Sequence, residues 1–369
     1  MSKFITLVKR GYNVEVVSPK YELNFFSKEE NGVKYTFLDC SYNLTSFVKS
    51  KFKVKRWDYV AYDYFLQNKP DLIISQSSAG YPIIKQKKEH KIPVLSIAHG
   101  SILREFRTLI KKFEFKHTLK FLINSQFVLK EYLFRQRNFI RMSNAVVAVS
   151  EDAKKDVSKE TGRKDIQVIY VGVDSTRYLL PNINNNDQLK LIYVGVIIRE
   201  KGLGFILESL VELNKLYPSV KLTVVGDGED LLYFRELSKE LGVSANVTFL
   251  GRVLYNNIPK ILNAHNLFLL PTIRDEGFPM VILEALTAGL PIVATDKGGT
   301  KNVVKSGING MLLDPTSNIK NDLTEAIKFI KDGNKLESMS QESIRLSKEF
   351  SMAKSLDKYE KIIQNLLKS

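Results

Sequence analysis

Residues Pro271–Thr295, PTIRDEGFPMVILEALTAGLPIVAT, decide how the chain folds. The apolar run Leu267–Leu270 leads into them and reads as a buried strand. Thr272–Pro279 reads as a turn, Met280–Ala288 as an amphipathic helix ended by Gly289, and Ile292–Thr295 as a second strand opened by Pro291. In open α/β sheets, ligands bind at the carboxyl ends of the strands, where this turn delivers Glu276. Glu284 follows eight residues later, inside the helix. The two carboxylates are then two to three helical turns apart and can contact different parts of one extended ligand. Between them, backbone amides at the helix start, around Phe278 to Val281, form an anion site.

A sugar nucleotide suits that layout: its diphosphate on the helix N-terminus, Glu276 at the sugar, Glu284 at the ribose hydroxyls. The competing reading is an ordinary βαβ unit with a solvent-facing glutamate on its helix. Glu276, seven residues, then Glu284, followed by Ala285, Gly289 and Pro291, resembles the E-x7-E segment of the retaining GT-B glycosyltransferases, family four. The resemblance implies an α/β protein of two Rossmann-like domains facing a central cleft. The expected boundaries are 1–175 plus a crossover helix 351–369 for the acceptor side, and 188–350 for the nucleotide-sugar donor side.

Composition agrees with two domains. The chain has 369 residues, 44% hydrophobic, and no apolar run near the roughly 18 residues of a membrane span. Its start, MSKFITLVKRG, is too polar for a signal peptide, and one cysteine, Cys40, fits a reducing cytosol and a small core residue. The net charge of +15 is uneven: residues 1–180 carry 32 Lys and Arg against 18 Asp and Glu, the rest 23 against 22. The first half therefore faces something anionic or keeps itself soluble. Ser101–Met142 concentrates ten basic residues against three acidic ones, interleaved with eight phenylalanines and tyrosines. Such a stretch suits an anionic bilayer surface, or else a helix pair with aromatics inside and lysines in water. No motif supports nucleic acid. The histidines His90, His117 and His265 show no metal-site spacing.

Along the chain, Lys3–Arg10 reads as a helix capped by Gly11, and Val14–Ser18 as a strand. The preceding strand and glycine-rich turn of the family have no counterpart, so the first domain is expected to lack its first strand. Asp71–Ser75, Ile92–Ile97, Ala145–Ser150 and Ile166–Val171 read as further strands, with a helix over Glu151–Thr161. The last strand ends in Gly172-Val173-Asp174, which resembles the family's hinge, and a polar linker, NINNND, follows at 182–187. Leu189–Val194 then leads into GVIIREKG, Gly195–Gly202, which resembles the phosphate loop of the family. Val196 stands where the family has arginine, with Arg199 as a substitute cation, and Asn302 stands where the family often has glutamate. Gly226-Asp227-Gly228 lacks the third glycine of a dinucleotide fingerprint and reads as a structural turn.

The resemblance implies a metal-independent, front-face transfer with retention, using a UDP- or GDP-linked sugar and no cofactor. Glu276, His99 and Lys201 would be catalytic. Gly195, Arg199, Arg252, Gly277, Phe278, Pro279, Met280, Val281 and Glu284 would bind the donor. A basic, aromatic first domain suits a lipid-linked or polysaccharide acceptor, as in envelope assembly, at the cytoplasmic face of a membrane. The alternatives are a nucleotide-sugar epimerase on the same fold, or a non-catalytic or truncated remnant.

Overall fold

In a computed structural model, the chain folds into two units, Met1–Tyr170 with Ser355–Ser369, and Val171–Lys354. The structure describes residues 2–20, 26–39, 57–76, 80–86, 90–101, 134–178, 188–274 and 278–368.

The second unit is built on one parallel sheet. Its strands are β8 (Lys190–Val194), β9 (Lys221–Val225), β10 (Val247–Gly251), β11 (Leu267–Leu270), β12 (Ile292–Thr295) and β13 (Gly310–Leu313). They lie in the order β10-β9-β8-β11-β12-β13. All four residues of both β11 and β12 are buried, as expected of strands covered on both faces. Each crossover between sequential strands carries a helix, and Leu203–Leu216 and Ile319–Asp332 supply much of the helical core. Counted from β8, the chain lays three strands outward to one side and three to the other. This is the doubly wound order, and its switch point falls between β8 and β11, whose Leu191 and Leu267 are paired.

The first unit holds two sheets. β4 (Ile73–Ser75), β5 (Val94–Ala98), β6 (Ala145–Ala148) and β7 (Gln167–Val168) run parallel in that order. β1 (Val14–Pro19) pairs in parallel with β3 (Val33–Leu38), and β2 (Ser27–Glu30) pairs antiparallel with β3. Asn31 and Gly32, at φ 54° and 76°, form the two-residue hairpin turn that joins β2 to β3. Ser150 caps the helix Glu151–Thr161 by accepting from the Ala153 amide, and Gly162 ends it in the left-handed conformation. The end of the last helix, Met352–Lys368, belongs to this unit: Ser355, Leu356, Tyr359, Ile362 and Ile363 are buried. Arg10 holds it with bonds to Asp357 at 2.7 Å and Glu360 at 2.6 Å.

The two places where the chain changes unit are bound to each other. Val173 forms a bridge with Ser351, its amide donates to the Phe350 carbonyl at 2.9 Å, and its own carbonyl accepts from Met352 at 3.0 Å. A side chain at Gly172 would collide with the Met352 backbone. Among the described residues, no helix is long and apolar enough to cross a membrane.

Candidate active site

Two loops meet at the switch point. The first, Gly195–Gly202, leaves β8; the second, Pro271–Pro279, leaves β11. They are tied together through one carbonyl. The Glu200 oxygen accepts from the Ile273 amide at 2.9 Å, the Arg274 amide at 3.3 Å and the Thr272 hydroxyl at 3.1 Å. The Thr295 hydroxyl, at the end of β12, donates to the Thr272 carbonyl. Thr272 and Thr295 are fully buried, so these bonds have no water to compete with them. Gly202 sits at φ +82°, and a Cβ there would run into the Pro271 carbonyl, so glycine permits both the turn and the approach of the two loops.

A third loop supports the first from beneath. The Ile197 amide donates to Asp227 at 2.9 Å, and the Ile197 carbonyl accepts from Asp230 at 3.2 Å. A Cβ on Gly226 or Gly228 would overlap the Gly195 or Ile197 carbonyl. The Gly-Asp-Gly turn is therefore a packing surface for the site loop.

The helix Met280–Thr287 starts directly after the second loop, and no described side chain caps it. A helix start of this kind, with free amides and the positive end of the dipole, can attract an anion. Glu284, one turn further on, is buried, with 7% of its surface exposed. Burial raises its pKa, opposed by a hydrogen bond from the Tyr255 hydroxyl and by the charge of Arg177. Arg177 stacks on the Tyr255 ring, 4.2 Å from its centroid.

The expected site residues divide accordingly. Gly195 and Lys201 on the first loop, and Phe278, Pro279, Met280, Val281 and Glu284 on the second loop and its helix, are brought to the switch point of one sheet. Arg252 is exposed in the loop after β10, the same loop that sends Tyr255 to Glu284. Arg199 has its amide and guanidinium on Asp230, at 2.9 and 3.4 Å, and lies 4.2 Å from the Tyr233 ring centroid. Val196 is 56% exposed beside Gly195. His99 is exposed just beyond β5 in the other unit. Glu276, Gly277, Cys40 and residues 102–133 of the basic stretch lie outside the described residues. Among the described residues, no cluster of His, Cys, Asp and Glu could hold a metal. Sequence reading missed Tyr255, Arg177 and Tyr178 around Glu284; they lie in other segments, and no local spacing marks them.

The doubly wound unit, with a pinned glycine loop and a buried carboxylate on the helix that follows β11, has the architecture of a Rossmann-like GT-B domain. Comparisons with known proteins extend this to the whole chain. Residues 5–177 match the Glycosyltransferase Family 4 model, and residues 180–345 match that of the Glycosyl transferases group 1. The chain belongs to the GT-B glycosyltransferases of the family-four type. It is 23% identical to an uncharacterised glycosyltransferase of Haemophilus influenzae, over 97% of this chain and 92% of that one. The crystal structure of WaaG, a glycosyltransferase involved in lipopolysaccharide biosynthesis, superposes with a TM-score of 0.72 at 18% identity, covering 98% of this chain and 94% of WaaG. That of HepE from Anabaena in complex with UDP-glucose gives 0.68 at 20% identity, over 91% and 87% of the two chains.

Proposed function

We propose that the protein transfers a sugar, with retention and without a metal, from a UDP- or GDP-linked donor to a lipid-linked or polysaccharide acceptor of the cell envelope. The observation that carries the donor half is the pinning of the Gly195–Gly202 and Pro271–Pro279 loops through the Glu200 carbonyl. It ties the backbone next to Lys201 to the chain that leaves β11 before any ligand arrives, and we read Lys201 and the first amides of Met280–Thr287 as the anion site. Both suit a diphosphate whose charge grows as the sugar departs, and fixed donors of this kind need no reorganisation during reaction. Glu284 then takes the ribose, and Glu276 and His99 are the residues we assign to the donor sugar. The departing phosphate takes the acceptor proton, which is why the reading needs no separate base. HepE, bound to UDP-glucose on a similar fold, supports the donor class, and WaaG supports the envelope setting.

The test is a panel of UDP- and GDP-sugars offered with lipid-linked glycan acceptors. An α-linked sugar should transfer as an α-glycoside by NMR, unaffected by EDTA. Inversion, or loss of activity in EDTA, refutes the mechanism; donor turnover to an epimer without acceptor refutes transfer.

The net +14 of residues 1–180 supports an anionic surface as the place of work. The full chain should float with phosphatidylglycerol vesicles, not neutral ones, and release at about 1 M salt. Reversing Lys111, Lys112, Lys116 and Lys120 should abolish flotation; a mutant that still floats refutes the membrane reading.

A further inference from the structure

One segment late in the chain supports the helix Met280–Thr287 at both of its ends. The helix Leu336–Ser347 packs against it, and beyond its last turn the buried Ser343 hydroxyl donates to the Leu290 carbonyl at 2.8 Å. The turn Lys348–Phe350 follows, and the Phe350 ring meets the Phe278 ring just before the helix begins. The ring centroids lie 6.3 Å apart, with the planes tilted by 40°, within the range of an attractive aromatic pair. Phe350 is buried and its backbone is fixed. Its carbonyl accepts from the Val173 amide at 2.9 Å, and the neighbouring Ser351 bridges Val173.

Phe278 is joined to the first helical residue, Met280, by Pro279 alone. The proline ring locks its own φ, here −74°, and restricts the residue before it to extended backbone. Few free torsions therefore separate the Phe278 ring from the helix start, and a displacement of the ring is carried to it. The Ile282 amide is spent on the Pro279 carbonyl at 3.1 Å, whereas the Met280 and Val281 amides have no partner within the helix.

We propose that Phe350 is a positioning residue: through the Phe278 ring it sets where the helix Met280–Thr287 begins, and so aims the Met280 and Val281 amides at the donor diphosphate. The proposal rests on the reading of that helix start as part of the diphosphate site. It adds a determinant of donor affinity that lies outside the site loops, beside the point where the chain returns to the first unit. The attraction of a helix terminus falls off within one turn, so a small shift of the start is enough to weaken it.

Calorimetry on the full chain tests this with UDP and uridine, or with GDP and guanosine if GDP binds more tightly; the nucleoside is measured by displacement. Phe350→Leu keeps an apolar side chain and removes the ring. It should weaken diphosphate binding about threefold to tenfold, in keeping with the worth of a helix terminus, and leave the nucleoside within about twofold of wild type. Phe278→Leu should do the same, and it is the variant read if Phe350→Leu does not fold. The double variant should bind no more weakly than either single one, because both changes remove one contact. An unchanged ratio of diphosphate to nucleoside affinity, an equal loss for both ligands, or additive losses in the double variant overturns the proposal and leaves the diphosphate reading standing. A wild type that binds the diphosphate no more tightly than the nucleoside overturns both.

Discussion

Two glycine-bearing loops leave adjacent parallel strands, and they do different things. Gly195–Gly202 follows β8, which has β9 on one side and β11 on the other; Gly226–Glu229 follows β9, one strand further out. The first loop presents Lys201 and the exposed Val196 at the switch point. The second spends its backbone on the first, through Ile197, and on β10, where the Gly226 amide donates to Gly251 at 2.9 Å. A Gly-x-Gly pattern does not distinguish a loop that binds a phosphate from one that packs against such a loop. Position in the sheet does, because only the switch point opens a crevice between strands whose crossovers diverge.

The largest effect that separates the loops is Lys201→Ala. Removing a fixed cation from a developing diphosphate charge should lower kcat/KM by about 10²–10³-fold. The melting temperature should change by less than a degree or two, because Lys201 lies on the short turn Arg199–Lys201 and not in the buried core. An activity within threefold of wild type would move the anion site elsewhere.

Gly228→Ala attacks the supporting loop. The added methyl meets the Ile197 carbonyl, so the site loop or its support must shift. A stability loss of about 1–3 kcal/mol is expected. Nucleotide affinity should fall about tenfold as well, since displacement of the loop misplaces Lys201. Denaturant unfolding and calorimetry on the same preparation read both quantities. Lost stability with intact affinity would show that the two loops are mechanically independent.

Glu284→Gln follows, and here the effect depends on pH. Burial holds the Glu284 pKa above its unfolded value, so the folded state binds this proton more tightly than the unfolded chain. The stability it contributes is fully present below the unfolded pKa and is lost as pH rises through the folded one. At pH 8 the wild type therefore carries a buried charge that glutamine does not. The variant should melt a few degrees higher at pH 8, with the difference shrinking toward pH 4.5, while it binds nucleotide more weakly. This is the trade expected where a binding group is kept at the expense of stability. Equal melting temperatures at pH 8 would mean that Tyr255 and Arg177 already offset the burial.

How much of this was legible beforehand differs by region for physical reasons. β11 and β12 are continuous apolar runs between turn residues, so strand, helix and strand could be read from Leu267–Thr295 directly. β2 is Ser-Lys-Glu-Glu, an exposed edge with no apolar period, and it escaped notice although Asn31-Gly32 was the available signal. Arg199 shows the limit of local spacing. Two residues from Lys201 it reads as a substitute phosphate ligand, yet its guanidinium bonds Asp230, 31 residues away, and stacks on Tyr233. The surroundings of Glu284 were hidden in the same way, since Arg177 and Tyr255 meet across 78 residues.

Val196→Arg is the smallest and most discriminating change. Val196 is exposed, follows Gly195, and contributes its carbonyl to the Tyr193 hydroxyl at 3.0 Å, a contact that any side chain at this position keeps. An arginine there projects into solvent at the switch-point end of β8 without disturbing the buried Ile197. With Arg199 engaged by Asp230, the added guanidinium would supply a second cation to the diphosphate that Lys201 is proposed to hold. One charge-assisted contact at a half-exposed site is worth about 1.4 kcal/mol or less, so UDP affinity should rise by up to about tenfold. The gain should shrink between about 0.05 and 0.5 M salt, because an exposed charge is screened over a shorter distance as ionic strength rises. The same arginine placed at Glu229, on the supporting loop, should bring no gain at either salt concentration. Equal gains at both positions would reduce the effect to net charge; a gain confined to Val196→Arg would mark β8, and not β9, as the strand whose loop meets the phosphates.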